Sequence, residues 1–411
     1  MAIITPFCGI RPAPDFAAVL AAPPYDVFTR SEAKAYVVAH PDSFLRIDRP
    51  ETMFPDHVDM YAPEVYQKGA DAFQEMLSSG QYLQDTAPCY YLYELKLQDH
   101  VQTGIIGCAA AADYENGIIR THEKTRKDKE EDRSRHIDIL NLQASPVFLT
   151  YRSDPLLSEL TAAVKKEEPL YHFTGEDGLE HTFYAIFRPD FIEKISACFA
   201  GINTLYVADG HHRAASGDAV ARSRRTACQA KPHAESEFIL SILFPDTDLQ
   251  LYPYHRIIAD ANGLSPEQLF TEIKKKCTII STDPPVLPQK PHEIGMYFHK
   301  KWYILKAMES HMAADPVEGL DVAFLQREIL NPVLGIQDPR TDSRIRFAGG
   351  SLTPEQLAGL AGQTPDGIAF AMYPVSMEEF FRVSDHGLLM PPKSTWFAPK
   401  PLSGLILHSL K

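Results

Sequence analysis

The sequence has few of the features that would place a protein in a membrane, outside the cell or on nucleic acid. No stretch of its 411 residues approaches the roughly 20 apolar residues that span a bilayer. No basic segment followed by an apolar one opens the chain, so we expect no secretory signal. Lys and Arg total 40 against 54 Asp and Glu, a net charge of −14, which disfavours general binding to nucleic-acid phosphates. We therefore expect a cytoplasmic protein without a membrane or nucleic-acid partner.

Cysteine is scarce and scattered. None of the six cysteines stands in a C-x-x-C pair. In a chain of this length they are expected to be reduced thiols rather than a disulfide framework or a zinc site. Their positions are Cys8, Cys89, Cys108, Cys198, Cys228 and Cys277.

Several common catalytic motifs are also missing. The sequence contains no G-x-S-x-G nucleophile elbow, no G-x-G-x-x-G dinucleotide turn and no EF-hand loop. His122-Glu123 begins a zinc-protease motif, but position 126 is Arg where H-E-x-x-H requires His. The sequence therefore gives no support to hydride transfer, serine hydrolysis or zinc proteolysis.

The length and the order of apolar patterns predict two α+β domains. A chain of 411 residues exceeds what a single core usually supports, and 45% hydrophobic residues are ordinary for a globular protein. Strand-like runs at 91–97, 104–110, 147–151 and 238–244 alternate with helical segments, among them Pro63 to Ser79. Capping-box patterns at Ser265, Thr353 and Ser376 start helices in a second alternating region. We predict a mixed α/β fold of the α+β class. Its domains cover residues 1–260 and 261–411, and the last loop returns to the site of the first domain.

The most informative stretch is residues 204–217, T-L-Y-V-A-D-G-H-H-R-A-A-S-G. Its apolar first part predicts a buried strand, and the alanine-rich part from His211 predicts a helix. Two histidines and Arg213 then lie in the first helical turn, where unpaired N–H groups attract anions. A guanidinium group matches phosphate oxygens. We therefore predict a phosphate site made of Asp209, Gly210, His211, His212 and Arg213.

A structural interpretation of the same residues stays open. Asp209 would then only cap the helix, Gly210 would only serve the turn, and the two histidines would be solvated.

A second polar cluster covers residues 120–136. Glu123 suits a general base or a magnesium ligand, since carboxylates take both roles near phosphates. His122 suits a proton shuttle, and Arg126 is assigned to the nucleotide phosphates. The alternative is a solvated charge run with ion pairs along a helix.

A third cluster, at 390–400, presents Lys393 and the hydroxyls of Ser394 and Thr395 on a proline-stiffened loop. The Lys-Ser-Thr string is similar to the end of a Walker phosphate loop. However, the glycine-rich part is missing, and Pro391-Pro392 forbids that geometry. Such a loop can still reach into a neighbouring pocket, where Ser394 and Thr395 would bind the nucleotide, or it can be a packing loop held by its aromatic side chains.

Four strings together resemble a domain-of-unknown-function family of prokaryotic proteins. They are A-P-P-Y-D-V at 22–27, H-E-K-T at 122–125, A-D-G-H-H-R at 208–213 and M-P-P-K-S-T at 390–395. The resemblance covers essentially the whole chain, about residues 1–410, and by itself implies no activity.

The D-G-H-H-R turn also resembles the phosphate-binding turn of the ParB/sulfiredoxin-like superfamily. In ParB-type CTPases, sulfiredoxin and the free serine kinase, a Gly-x-x-Arg at a helix start handles nucleotide phosphates. The resemblance implies this fold for the first domain and phosphate contacts for Gly210 and Arg213. It also implies that Asp209, His211 or His212 lies beside the transferred group. Position 211 is His where sulfiredoxin has Cys, and no helix-turn-helix supports DNA binding, so those two activities are not expected.

Taken together, these patterns predict a nucleotide-dependent phosphotransferase, a kinase, acting on a small hydroxylated metabolite. Free serine is the candidate, because the free serine kinase has the most similar turn. The expected cofactors are ATP or ADP with Mg²⁺, which Glu123 and Asp209 would ligate. Glu123, His211 or His212 would accept the hydroxyl proton, and Lys393 would neutralise developing charge. The alternatives are a phosphoserine-type phosphoester hydrolase using the same pocket and a non-catalytic nucleotide-sensing protein, and a homodimer is compatible with each.

Overall fold

The computed structural model describes residues 1–228 and 234–411. The chain divides into two compact units, of which the first comprises Met1–Leu249 with Pro399–Lys411 and the second Gln250–Ala398. Helices and strands alternate in both units, which confirms the predicted α+β class. Among the helices of the described residues, none combines the length and the apolar character needed to cross a membrane.

A nine-stranded mixed sheet forms the core of the first unit. Phe238–Pro245 lies in its middle and pairs antiparallel with His100–Ala110 and parallel with Val147–Tyr151. Across the sheet the order is Ile119–Arg120, Leu205–Asp209, Val147–Tyr151, Phe238–Pro245, His100–Ala110, Tyr90–Leu97, Glu180–Ile186 and Tyr171–Thr174, with Ile4–Thr5 paired to His100–Ala110. Two small pairs join Ile10–Pro12 to Tyr82–Gln84 and Leu142–Gln143 to His408–Ser409.

The helices of the first unit cover this sheet with apolar faces. Ile195 and Phe199 of one helix pack with Leu157 of another in the same core cluster as the strands. The α-helices are Ala17–Leu20, Arg30–Ala39, Leu45–Asp48, Pro63–Ser78, Ala111–Glu115, Lys127–Leu140, Pro155–Val164, Pro189–Gly201 and His211–Cys228. Short 3-10 turns are Pro14–Phe16, Tyr25–Val27, Pro50–Met53, Glu235–Glu237 and Asp246–Asp248.

The predicted strand and helix around residue 209 are both present. Leu205–Asp209 is a buried strand, and the helix His211–Cys228 follows it after one residue. Ala214 and Ala221 of the helix are buried in the sheet's core cluster. A Cβ on Gly217 would lie 3.1 Å from Ile239, so small residues let this helix lie close to the sheet.

Strand pairing decides which loops meet at this end of the sheet. Leu205–Asp209 runs parallel to Ile119–Arg120, with Tyr206 opposite Arg120. Because parallel strands end at the same edge, the chain after Arg120 lies beside the chain after Asp209.

An antiparallel six-stranded sheet forms the core of the second unit. Its order is Cys277–Thr282, Lys301–Ala307, Glu293–Phe298, Ile368–Met372, Tyr254–Ile258 and Ile345–Gly349, and Gln250–Tyr252 pairs separately with Trp396–Ala398. The helices are Pro266–Lys274, Asp321–Leu325 continuing as the π turn Gln326–Leu330, Pro354–Ala361 and Met377–Asp385, with a 3-10 turn at Glu309–His311. The predicted capping boxes at Ser265, Thr353 and Ser376 are all formed.

The cysteines that the structure describes are free thiols, as expected. They are Cys8, Cys89, Cys108, Cys198 and Cys277, while the side chain of Cys228 lies outside the described residues.

Candidate functional site

The turn at the end of strand Leu205–Asp209 depends on a glycine. Gly210 has a φ of +86°, a left-handed conformation that favours glycine. A Cβ at this position would lie 2.8 Å from Nε and 2.9 Å from Cζ of Arg213. The missing side chain therefore lets the guanidinium group of Arg213 pack directly onto the turn.

Asp209 holds two cations at this turn. Its Oδ2 accepts a 2.9 Å hydrogen bond from Arg213, and its Oδ1 accepts a 2.8 Å bond from Nζ of Lys400. Arg213 also donates to the carbonyl oxygen of Pro146. Burial by itself would raise the pKa of Asp209, but Lys400 and Arg213 outweigh it and hold that pKa well below its usual range. Asp209 is therefore an anion that orients two cations.

A second layer of charge lies behind Arg213. The guanidinium of Arg133 stacks 4.5 Å from the ring centroid of Tyr25 and donates to the backbone oxygen of Asp48 at 3.3 Å. Oδ2 of Asp48 accepts a 3.1 Å bond from the hydroxyl of Ser145. Burial raises the pKa of Asp48, while Arg133 opposes that shift.

These two layers enclose a small cavity. Its volume is about 30 Å³, and its polar lining includes Tyr25, Asp48, Arg133, Ser145 and Arg213. That volume is enough for a bound water. Three cations, Arg133, Arg213 and Lys400, lie in and around this space with the carboxylates of Asp48 and Asp209, and Arg133 also pairs with Asp132 at 3.6 Å.

Two buried histidines meet beside the turn. The rings of His122 and His211 lie edge to face, with centroids 4.5 Å apart, and are 2% and 7% exposed. Burial lowers the pKa of His122 to about 4. Burial and the neighbouring ring of His122 hold the pKa of His211 well below its usual range. Both imidazoles are therefore neutral near pH 7. The interpretation of His211 as a solvated surface residue is wrong, because packing against His122 buries it.

The two histidines at the helix start differ in their hydrogen bonds. Nε2 of His212 accepts a 3.0 Å bond from the backbone N–H of Arg126. Nε2 of His211 is buried and has no hydrogen-bond partner among the described residues. His211 therefore keeps a ring nitrogen for a further contact.

The structure brings most of the predicted residues of the first two clusters together. Those that contact one another at the turn are His122, Arg126, Asp209, Gly210, His211, His212 and Arg213. Arg126 takes part through its backbone, because its guanidinium is exposed and paired with Asp128 at 2.8 Å. Glu123 follows His122 directly and is half-buried.

The predicted residues of the third cluster lie in the second unit. Ser394 donates to the carbonyl oxygen of Pro391 at 2.6 Å, and Nζ of Lys393 lies 5.2 Å from the ring centroid of Tyr254. The roles given to Lys393, Ser394 and Thr395 at the phosphate site stay predictions.

The described residues contain no group of three or more His, Cys, Asp or Glu side chains that could hold a metal ion. Both carboxylate oxygens of Asp209 are engaged by cations. The roles given to Glu123 and Asp209 as ligands of Mg²⁺ stay predictions.

Arg133 and Lys400 lie within the predicted clusters at 120–136 and 390–400, but the sequence analysis gave them no role at the site. Local sequence could have singled out three residues of the site. Tyr25 and Lys400 stand next to prolines, and Arg133 stands in a charged segment. Asp48 and Ser145 had no such local signal, since their position depends on contacts far along the chain.

Because His122 and His211 are buried, we expect the free energy of unfolding to fall in mild acid. A histidine in the unfolded chain takes up a proton near pH 6.5, whereas His122 in the folded protein does so only near about pH 4. Between these values the unfolded state binds more protons, so the free energy of unfolding falls as the pH falls. We expect His122 to contribute about 3 kcal/mol to this loss.

Urea unfolding followed between about pH 7 and pH 4.5 measures this effect. His122→Asn should reduce the slope of stability against pH, and substitution of the exposed His172 by Asn should leave it unchanged. Equal slopes in His122→Asn and the wild type would contradict the prediction.

Solved structures with partial similarity to this chain share little sequence with it. "Free serine kinase in complex with AMP" is 11% identical, with a TM-score of 0.34 over 68% of this chain and 83% of that one. A conserved hypothetical protein from Pyrococcus furiosus is 12% identical, with a TM-score of 0.35 over 71% of this chain and 92% of that one. C-terminally truncated SbnI from Staphylococcus aureus is 12% identical, with a TM-score of 0.40 over 74% of this chain and 89% of that one.

No curated protein matches the chain. A family model, described as "Protein of unknown function (DUF1015)", matches residues 4–323. This match covers most of the chain, including all of the residues that form the turn. The chain therefore belongs to the DUF1015 family.

Proposed function

We propose that the protein is a nucleotide-dependent phosphotransferase that acts on a small hydroxylated metabolite, with free serine as the first candidate. The observation that carries the proposal is the pair of cations that Asp209 holds at a glycine turn. The side chains of Arg213 and Lys400 are only 14% and 17% exposed. The residues of the proposed phosphate site, Asp209, Arg213 and Lys400, all belong to the first unit.

The local geometry suits phosphate for three physical reasons. The N–H groups at the start of the helix His211–Cys228 favour an anion. Arg213 adds charge-assisted hydrogen bonds, which are shorter and stronger than neutral ones. The site excludes much of the water that would screen its charges, so each interaction is worth more than at the surface. Phosphoryl transfer depends mainly on such positioning and charge neutralisation.

The proposed reaction moves one phosphoryl group. The hydroxyl oxygen of the acceptor attacks the terminal phosphorus, the bond to the leaving phosphate oxygen of the nucleotide breaks, and the hydroxyl proton passes to a base. Glu123 suits the base better than His212, whose Nε2 already accepts a hydrogen bond from Arg126, and better than His211, whose lowered pKa makes it a weak base. Asp209 suits positioning rather than proton abstraction, because its low pKa makes it a weak base.

The direct test incubates the purified protein with ATP or ADP, Mg²⁺ and L-serine, and measures O-phosphoserine by mass spectrometry. We expect phosphoserine from the wild type and from Arg188→Met, which removes an exposed arginine of the same unit. We expect none from Arg213→Met. No product from a panel of hydroxylated metabolites, together with no nucleotide binding by calorimetry, would falsify the proposal.

Two other outcomes would replace the proposed reaction by one of the alternatives. Release of phosphate from phosphoserine without nucleotide would indicate a hydrolase. Nucleotide binding with no turnover, retained when Glu123 is substituted, would indicate a sensing protein.

Gly210 gives a separate prediction about the turn. Replacing it with alanine forces a side chain into a left-handed conformation and against Arg213. We expect the free energy of unfolding to fall by about 1–2 kcal/mol and the affinity for ADP to fall with it. Unfolding in urea and calorimetry measure the two effects.

Gly80→Ala is the matched control for this substitution. Gly80 has a φ of +78°, and no atom lies within 4 Å of its added Cβ. It should lose similar stability but keep ADP affinity. Unchanged ADP affinity in Gly210→Ala would contradict the role given to the turn.

A further inference from the structure

A pocket in the second unit is lined by none of the residues of the turn 209–213. Its volume is about 370 Å³, within the range of small-molecule sites. The strand Tyr254–Ile258 supplies Arg256 to its wall, and the neighbouring strand supplies Phe347 directly opposite. Pro391 and Pro392 of the proline-stiffened loop close another side.

Arg256 is the unusual residue of this pocket. It is 3% exposed, donates to the backbone oxygen of Lys393 at 3.1 Å and to that of Tyr254, and lies 5.3 Å from the ring centroid of Phe347. Within residues 1–228 and 234–411, it forms no salt bridge with a carboxylate. Burial lowers the pKa of Arg256 to about 9, with only Tyr254 opposing the shift. Its positive charge is therefore desolvated and has no counter-ion.

Other buried arginines of the chain do have carboxylate partners. Arg213 faces Asp209, and Arg133 faces Asp48 and Asp132. The carboxylate that lines the pocket of Arg256, that of Asp338, is instead paired with Arg340 at 3.7 Å.

A buried charge without a partner is costly, because the protein interior does not replace its hydration. An anionic ligand in the pocket would supply the missing negative charge. It would also accept hydrogen bonds from those guanidinium N–H groups of Arg256 that do not donate to backbone oxygens. The guanidinium fork suits the two oxygens of a carboxylate or a phosphate group. Phe347 and the two prolines offer an apolar surface to the remainder of such a ligand.

We infer that this pocket binds a small organic anion, with Arg256 as the counter-ion of its carboxylate or phosphate group and Phe347, Pro391 and Pro392 around its apolar body. Arg340 is exposed at the same pocket and is paired with Asp338, so the charge of Arg256 leaves the lining with a net positive charge that attracts such a ligand. This inference does not depend on the proposed phosphotransferase activity.

Intrinsic tryptophan fluorescence can report binding at this site. The chain's two tryptophans, Trp302 and Trp396, both lie in the second unit. Titration of the full-length protein with phenyl phosphate and with phenylacetate should change the tryptophan fluorescence in a saturable way, and the neutral benzyl alcohol should not. The tighter of the two anions identifies whether the pocket prefers phosphate or carboxylate.

Substitutions assign the binding to Arg256. Arg256→Met should weaken the tighter anion by about tenfold or more, and Arg340→Met, at an exposed position, by about threefold. Arg382→Met removes an exposed arginine of the same unit and should leave the affinity unchanged. The fluorescence response should persist in Arg213→Met, which separates this site from the phosphate site of the first unit.

Two results would overturn the inference. One is the absence of saturable binding of either anion below about 10 mM, an affinity too weak for a built site. The other is wild-type affinity in Arg256→Met. If that variant fails to fold, wild-type affinity in Arg340→Met takes its place as the contradicting result.

Discussion

Replacing Arg213 with methionine is expected to weaken the binding of ADP by about 100-fold or more. A charge-assisted hydrogen bond to a phosphate contributes about 1.5–3 kcal/mol, and a guanidinium group can form two of them. Each 1.4 kcal/mol corresponds to about a tenfold change in affinity. Methionine keeps much of the length of the side chain and removes the charge, so the comparison isolates the interaction with the anion.

Isothermal titration calorimetry with ADP measures this effect, and thermal unfolding shows whether the variant is folded. Asp209 keeps its 2.8 Å bond to Lys400 when Arg213 is substituted, so we expect a folded protein. Arg188→Met, at an exposed salt bridge, should bind ADP like the wild type. Unchanged ADP affinity in a folded Arg213→Met variant would remove the phosphate site from this turn.

Replacing Asp209 with asparagine should produce the second large effect. We expect the variant to be less stable than the wild type and to be stabilised more strongly by ADP. Asparagine has the same shape but leaves Arg213 and Lys400 without their shared anion. Removing one partner of a buried ion pair costs about 3–5 kcal/mol, because the other charge stays buried. A bound phosphate group would restore the missing negative charge. ADP should therefore stabilise Asp209→Asn more than it stabilises the wild type.

Urea unfolding with and without saturating ADP tests this prediction. Asp190→Asn breaks an exposed pair with Arg188 and should change stability by less than about 1 kcal/mol. If ADP stabilises Asp209→Asn no more than the wild type, the two cations serve only the fold.

Local sequence patterns were sufficient to predict the turn itself. The change from a β-branched run to an alanine-rich segment marks the strand and the helix, and Gly210 marks the junction between them. His122 and Arg126 reach the turn because the strand that precedes them, Ile119–Arg120, runs parallel to Leu205–Asp209, a pairing that apolar periodicity alone does not specify.

The charge partners could not be predicted in the same way. Lys400 lies 191 residues from Asp209 along the chain, and Arg133 lies 85 residues from Asp48. The dense charges at 120–136 suggested a solvated helix face as the alternative. In the structure, Arg133 and His136 on the helix Lys127–Leu140 are buried. Arg133 forms a hydrogen bond with the backbone oxygen of Asp48, and His136 forms one with the backbone oxygen of Ile47. Burial of a charged residue is decided by such distant partners.

A crystal structure of the protein with bound ADP shows whether the phosphates bind at this turn. We expect a phosphate oxygen within hydrogen-bond distance of the guanidinium of Arg213 and of Nζ of Lys400, at the start of the helix His211–Cys228. A nucleotide bound elsewhere, with no phosphate group at the turn of residues 209–213, would contradict this expectation.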